Sequence, residues 1–151
     1  MNIPEAELEK IKGFYEQIPF NRLLGIHLSH ISEDKVAFKC HHQKDFVGNY
    51  VLGILHGGVI ATVLDVAGGA MAFLGIYQKI RTEPEAEQAK RLSKIGTIDL
   101  RVDYLRPGRG LWFEAEASLI RTGNKVSVAR MSMQNDQAEL IAVGTATYIC
   151  G

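Results

Sequence analysis

The chain has 151 residues, 17 lysines and arginines against 17 aspartates and glutamates, and a composition that is 46% hydrophobic. That length suits one domain, residues 1–151, able to bury its own core. The charge balance excludes a surface built for nucleic acid or for an anionic membrane. The two cysteines, Cys40 and Cys150, lack CxxC spacing, and His41 and His42 beside Cys40 face opposite sides of a strand, so no metal site is expected.

In chain order, Met1–Lys12 carries Glu5, Glu7, Glu9, Lys10 and Lys12 and no apolar run, which predicts no secretory signal and a cytoplasmic protein. Pro4 to Ile18 spaces Leu8, Ile11, Phe14, Tyr15 and Ile18 three and four apart, predicting an amphipathic helix within an N-terminal stretch 1–20. Alternating residues over Leu24–Ser32 and Lys35–His42, around Ser32-Glu33-Asp34, predict a β-hairpin. A loop, Gln43–Ile54, then delivers the chain to His56-Gly57-Gly58. From Val59 to Phe73 nearly every position is apolar or small, which predicts a helix hydrophobic all round and buried. Asp65 and the glycines interrupt it, so no membrane span is expected. Residues 78–94, rich in Glu, Lys, Arg and Gln and broken by Pro84, predict a solvated excursion. Thr97–Leu105 alternates strictly, with Ile98, Leu100, Val102 and Tyr104 expected inward and Asp99, Arg101 and Asp103 outward. Trp112–Arg121, Lys125–Asn135 and Glu139–Tyr148 complete a four-strand meander, separated by Thr122-Gly123-Asn124 and Asn135-Asp136-Gln137. An antiparallel sheet must cover its apolar face, so the fold class is α+β, a sheet around one central helix.

Asp65 is the misfit of that helix. A carboxylate among apolar residues is costly unless paired, and such a group is a candidate for chemistry. The helix start supplies the other half of a site. Its first N–H groups lack intrahelical partners and carry the positive end of the helix dipole, and Gly57 and Gly58 let a ligand oxygen approach them. Eight residues at about 1.5 Å each put Gly57 and Asp65 roughly 12 Å apart. One chain cannot apply both groups to one carbonyl, so a two-fold dimer with antiparallel central helices is expected, with two sites at its interface.

The His-Gly-Gly segment, the Asp eight residues beyond Gly57, and Thr97-Ile98-Asp99-Leu100-Arg101-Val102-Asp103-Tyr104-Leu105-Arg106-Pro107 together resemble the hotdog-fold acyl-CoA thioesterases of the phenylacetate-degradation (PaaI) type, in the 4-hydroxybenzoyl-CoA thioesterase superfamily. The resemblance covers most of Leu24 to Ile149 and implies thioester hydrolysis in dimers that often pair into tetramers. It implies an oxyanion-hole role for Gly57, and for Asp65 that of general base or of nucleophile. By similarity, Asn49 places the water or leaving group, His56 shapes the turn and contacts the thioester, and Thr97 lies near the reacting carbonyl. Coenzyme A, part of the substrate and not a cofactor, needs cations at the rim, for which Arg106, Arg109, Arg121 and Lys125 are the candidates, with Gly58 and Gly123 as binding candidates that allow close backbone approach. Val63, Met71, Phe46 and Tyr50 are the candidate acyl-side lining. Two rivals stand beside hydrolysis: a hydratase or dehydratase on acyl thioesters, for which His56 and Asp65 are the closest pair, and a non-catalytic acyl-CoA-binding module.

Overall fold

A computed structural model describes residues 3–151; residues 1 and 2, part of the expected N-terminal stretch, lie outside it. Helix α1, Glu5–Gln17, meets α2, Pro19–Leu24, at Ile18, where extended backbone and a proline at the first helical position turn the chain. Gly25, in the left-handed conformation, stops α2, so the first strand begins at His27 and not at Leu24. The hairpin is as expected: β1, His27–Ile31, pairs antiparallel with β2, Val36–His41.

The expected loop 43–54 is more ordered than its composition suggests. A 3-10 turn, Lys44–Phe46, leads into a small hairpin of β3, Val47–Asn49, and β4, Ile54–Leu55. Gly48 is required here, since a Cβ would stand 2.6 Å from the His56 Cα.

Helix α3, Gly57–Ile80, runs 24 residues without a break. By length and hydropathy it could cross a bilayer, but the sheet wraps it. Val63, Leu64, Ala67, Met71, Leu74 and Ile76 are fully buried, each large one contributing about 1.5–3 kcal/mol of transfer free energy. The helix is not hydrophobic all round in its setting. Thr62, Asp65, Val66, Gly69 and Phe73, spaced three and four apart, form a half-buried stripe that the sheet leaves open, and Asp65 lies on it.

The excursion 78–94 corrects to two parts. Its start is the end of α3, and Pro84 does not break a helix but caps a new one, α4, Glu85–Leu92, which has no buried residue. Four strands follow: β5, Gly96–Tyr104; β6, Trp112–Thr122; β7, Val126–Asn135; β8, Leu140–Ile149. They do not form one meander. The six-stranded antiparallel sheet has the order β1-β2-β6-β7-β8-β5, so β5 pairs with β8 at an edge while β6, β7 and β8 are consecutive hairpins.

Strand β5 also corrects the expected alternation. Thr97 pairs with Tyr148 and Asp99 with Thr147, leaving Ile98 as the extra residue of a bulge. The bulge turns Thr97 toward α3 and leaves Ile98 exposed. Tyr104 is exposed as well, because it lies beyond the core at the start of α3. Leu100 and Val102 pack, half-buried, against the core as expected. Arg101 meets Asp103 at 3.3 Å on the outer side, where Asp99 accepts the backbone N–H of Thr147.

Candidate active site

The structure surrounds Asp65 with hydroxyls. Thr97 Oγ1 donates to the carboxylate, 3.0 Å from Oδ1 and 3.3 Å from Oδ2. Tyr148 Oη lies 3.1 Å from Oδ1 and 3.1 Å from the Asp65 carbonyl oxygen. The bulge explains the convergence, since Thr97 and Tyr148 are cross-strand partners on the face toward α3. Burial pushes the Tyr148 hydroxyl far above its usual range, and the charge of Asp65 and their hydrogen bond push it further. Tyr148 was not among the expected site residues. Its sequence signal is an aromatic with a polar tip at an inward strand position, where a buried hydroxyl needs a partner.

Asp65 borders a cavity of about 280 Å³ whose walls are largely apolar: Phe14, Tyr15, Ile18 and Phe20 from the N-terminal helices, Val66 and Ala70 from α3, and Ile95. Asn21, buried at the corner, donates from Nδ2 to the Tyr15 carbonyl and so fixes α2 against α1. None of the expected acyl-side residues lines this cavity. Val63 and Met71 lie on the sheet-facing side of α3 in the core, Phe46 is buried under the β3–β4 hairpin's entry, and Tyr50 is 90% exposed at that hairpin's tip. Helical periodicity marks those α3 positions as apolar but does not say which stripe the sheet covers.

At the start of α3, His56 caps the helix: its Nδ1 accepts the Gly58 N–H at 2.8 Å, and its carbonyl accepts the Val59 N–H. That occupies two of the first three N–H groups and leaves the one on Gly57 without an acceptor among the described residues. Gly58 is therefore spent on the cap. Tyr104 steadies the same corner, its hydroxyl donating to the Gly57 carbonyl at 3.0 Å. Asn49 lies in the adjoining hairpin, where Oδ1 accepts the N–H groups of Val51 and Leu52. Its side-chain N–H groups are not used in that turn.

The chain thus brings Thr97 to Asp65 and sets His56 beside Gly57, as two separate groups, with Asn49 engaged in its own hairpin. With α3 continuous, Gly57 and Asp65 stay about 12 Å apart. The basic candidates also divide. Arg106 donates to the Leu140 carbonyl and Arg109 to the Leu52 carbonyl, both fastening loops near the start of α3. Arg121, Gly123 and Lys125 line a depression of about 440 Å³ with Asn124, Val126 and Val128, at the far end of β6. Lys79, from the last turn of α3, donates to the carbonyls of Thr122 and Gly123 there and went unnoticed in the sequence.

Away from these groups, Cys40 is buried, and its burial pushes the thiol up to about 11. Cys150 is buried too, its Sγ 3.3 Å from Ser127 Oγ. Residues 52–142 match the Thioesterase superfamily. The medium/long-chain acyl-CoA thioesterase YigI of Escherichia coli K12 is 49% identical over 140 residues, covering 91% of this chain and 89% of that protein. A Shewanella oneidensis crystal structure, of a protein related to the thioesterase superfamily, is 44% identical and superposes over 100% of both chains with a TM-score of 0.92. The Escherichia coli PaaI protein of the phenylacetic acid degradation operon, 18% identical, shares the fold, with a TM-score of 0.71 over 95% of this chain and 92% of that one. A six-stranded antiparallel sheet wrapped around one long helix and these likenesses agree: the chain belongs to the thioesterase superfamily and has its hotdog fold.

Proposed function

We propose that this protein hydrolyses medium- to long-chain acyl-CoA thioesters in the cytoplasm, at two equivalent sites formed between the subunits of a homodimer. The observation that carries the reading is Asp65 itself: a carboxylate held by Thr97 and placed beside a cavity with apolar walls. The likeness to the YigI thioesterase supports the substrate class. In the dimer, Gly57 of one protomer faces Asp65 of its partner across antiparallel α3 helices. The edge strand β5 is free to pair with its own copy, and exposed Ile98, Tyr104 and Leu105 would be covered there. Pairing of such dimers into a tetramer is part of the proposal.

In the reaction, Asp65 takes a proton from water as the water oxygen attacks the thioester carbon. The carbonyl oxygen gathers charge against the Gly57 N–H and the helix dipole, in a water-poor cleft where such a donor is worth most. The tetrahedral intermediate then expels the coenzyme A thiolate, which takes the proton that Asp65 holds and so restores the carboxylate, and the fatty acid leaves. Direct attack by Asp65 to form a mixed anhydride is the other route, and water would then split the anhydride. His56, with Nδ1 accepting, carries its proton on Nε2 and can donate toward the thioester. Asn49 offers its amide N–H groups to the water or the leaving thiolate. Arg121, Gly123 and Lys125 of one subunit, with Arg106 and Arg109 of the other, would meet the phosphates and adenine at the rim.

The test is thiol release from acyl-CoAs of graded length, wild type beside Asp65→Asn. Equal rates from the two would overturn the assignment. Single-turnover reaction in H₂¹⁸O separates the routes, because label in the Asp65 carboxylate arises only through the anhydride.

A further inference from the structure

We propose that Tyr148 is a positioning residue for Asp65: its hydroxyl and that of Thr97 converge on Oδ1, which leaves Oδ2 as the oxygen that takes the proton from water. The inference rests on the reading of Asp65 as the base. Tyr148 is 1% exposed, so its hydroxyl proton must find an acceptor within the protein. Two are in reach, the Asp65 carbonyl oxygen and Oδ1. The carbonyl is already served by the ladder of α3, and an ionised carboxylate is the stronger acceptor. Thr97 also makes its shorter contact to Oδ1. Two donors on one oxygen fix the carboxylate's rotation and turn the other oxygen toward the cavity.

The helix makes room for this contact. Gly68 is buried opposite the ring, and a Cβ there would collide with the Tyr148 hydroxyl and press on Met131 Sδ. Glycine within a helix is disfavoured, and here its missing side chain is the space that the hydroxyl occupies. The titratable groups facing the pair are each other and Tyr15 of α1, itself buried and shifted upward; β5 contributes only the neutral Thr97.

A donor to a carboxylate favours its charged form, so the loss of one reads out in the pH dependence of the reaction. Tyr148→Phe keeps the ring and its packing. The expected result is an acidic limb of the kcat profile moved up by about one pH unit, with KM for the acyl-CoA within about twofold of wild type. Gly68→Ala retains the hydroxyl but displaces it, and should move the limb in the same direction. A limb unmoved in both variants, with Asp65→Asn inactive, would overturn the positioning role and leave the base assignment standing. Full activity in Asp65→Asn would overturn both.

Discussion

The two ends of the site on α3 differ in how their polar groups are satisfied. At the helix start, His56 and its carbonyl hold the N–H groups of Gly58 and Val59, while the Gly57 N–H points outward without an acceptor among the described residues. Two turns on, the Asp65 carboxyl group meets the hydroxyls of Thr97 and Tyr148 at Oδ1, with Thr97 also 3.3 Å from Oδ2, and has an apolar cavity beside it. In the proposed reaction, one end would be a donor to developing negative charge and the other a base. Strand β5 steadies both, through Tyr104 at the first and Thr97 at the second. The continuous helix between them holds the two groups about 12 Å apart. On the proposed dimer, a folded monomer would carry two half-sites.

Asp65→Asn should bring the largest loss, about 10²–10⁴-fold in kcat, the range of a positioned general base. Asparagine preserves the size and can still accept from Thr97 and Tyr148, so the melting temperature should hold within a few degrees. Gly57→Pro should cost about 10²–10³-fold by removing one oxyanion donor. Proline suits the first helical position, and His56 before it is already extended, at φ −63° and ψ 135°. The close Tyr104 ring, 3.2 Å from a Cβ at position 57, makes circular dichroism the necessary companion measurement.

Mixing these two dead variants tests the division between ends directly. Refolded together in equal amounts, half of the dimers are hybrids, and each hybrid has one site with an intact Gly57 and an intact Asp65. Recovery of about a quarter of wild-type activity is expected from that symmetry. No recovery, with hybrids demonstrated by tagged subunits, would place both groups of each site within one chain.

Much of this was legible in the sequence, and the exceptions share a cause. Asp65, Gly57 and the central helix stand out because a charge in an apolar run and a Gly-Gly helix start are local patterns. The six main strands were visible through alternation. The bulge at Ile98 was not, since an extra residue in one strand is defined only by its partner, here Thr147 and Tyr148 of β8. Missing the bulge put Ile98 inward and left Thr97 without a geometric reason to reach Asp65. Tyr148 was missed for the same reason. Its role depends on a cross-strand pairing and on the space at Gly68, 80 residues earlier in the chain. The displacement of β5 to the edge beside β8 is likewise set by the sheet as a whole, not by the turn sequence Arg106-Pro107-Gly108.

The smallest expected effect concerns which end holds the acyl chain. Phe14 stacks on Phe73 at 5.7 Å between ring centres and meets Tyr15 edge-on at 5.3 Å. It borders both the Asp65 cavity and a groove of about 600 Å³ between α1 and α4, with Ile11, Phe73 and Leu92 among its walls. Phe14→Ala removes the partition, so longer chains gain apolar contact and medium chains gain none. A pocket worth about 1–3 kcal/mol per methylene group sets the scale, and the ratio of kcat/KM for long over medium chains should rise by about tenfold. Tyr50→Ala, at the exposed tip of the β3–β4 hairpin, should leave that ratio alone. The reverse pattern, a ratio moved by Tyr50→Ala and not by Phe14→Ala, would put the acyl chain at the Gly57 end and coenzyme A at the Asp65 end. With the two half-sites on different protomers, as proposed, that outcome would invert the substrate in the cleft without changing which atoms do the chemistry.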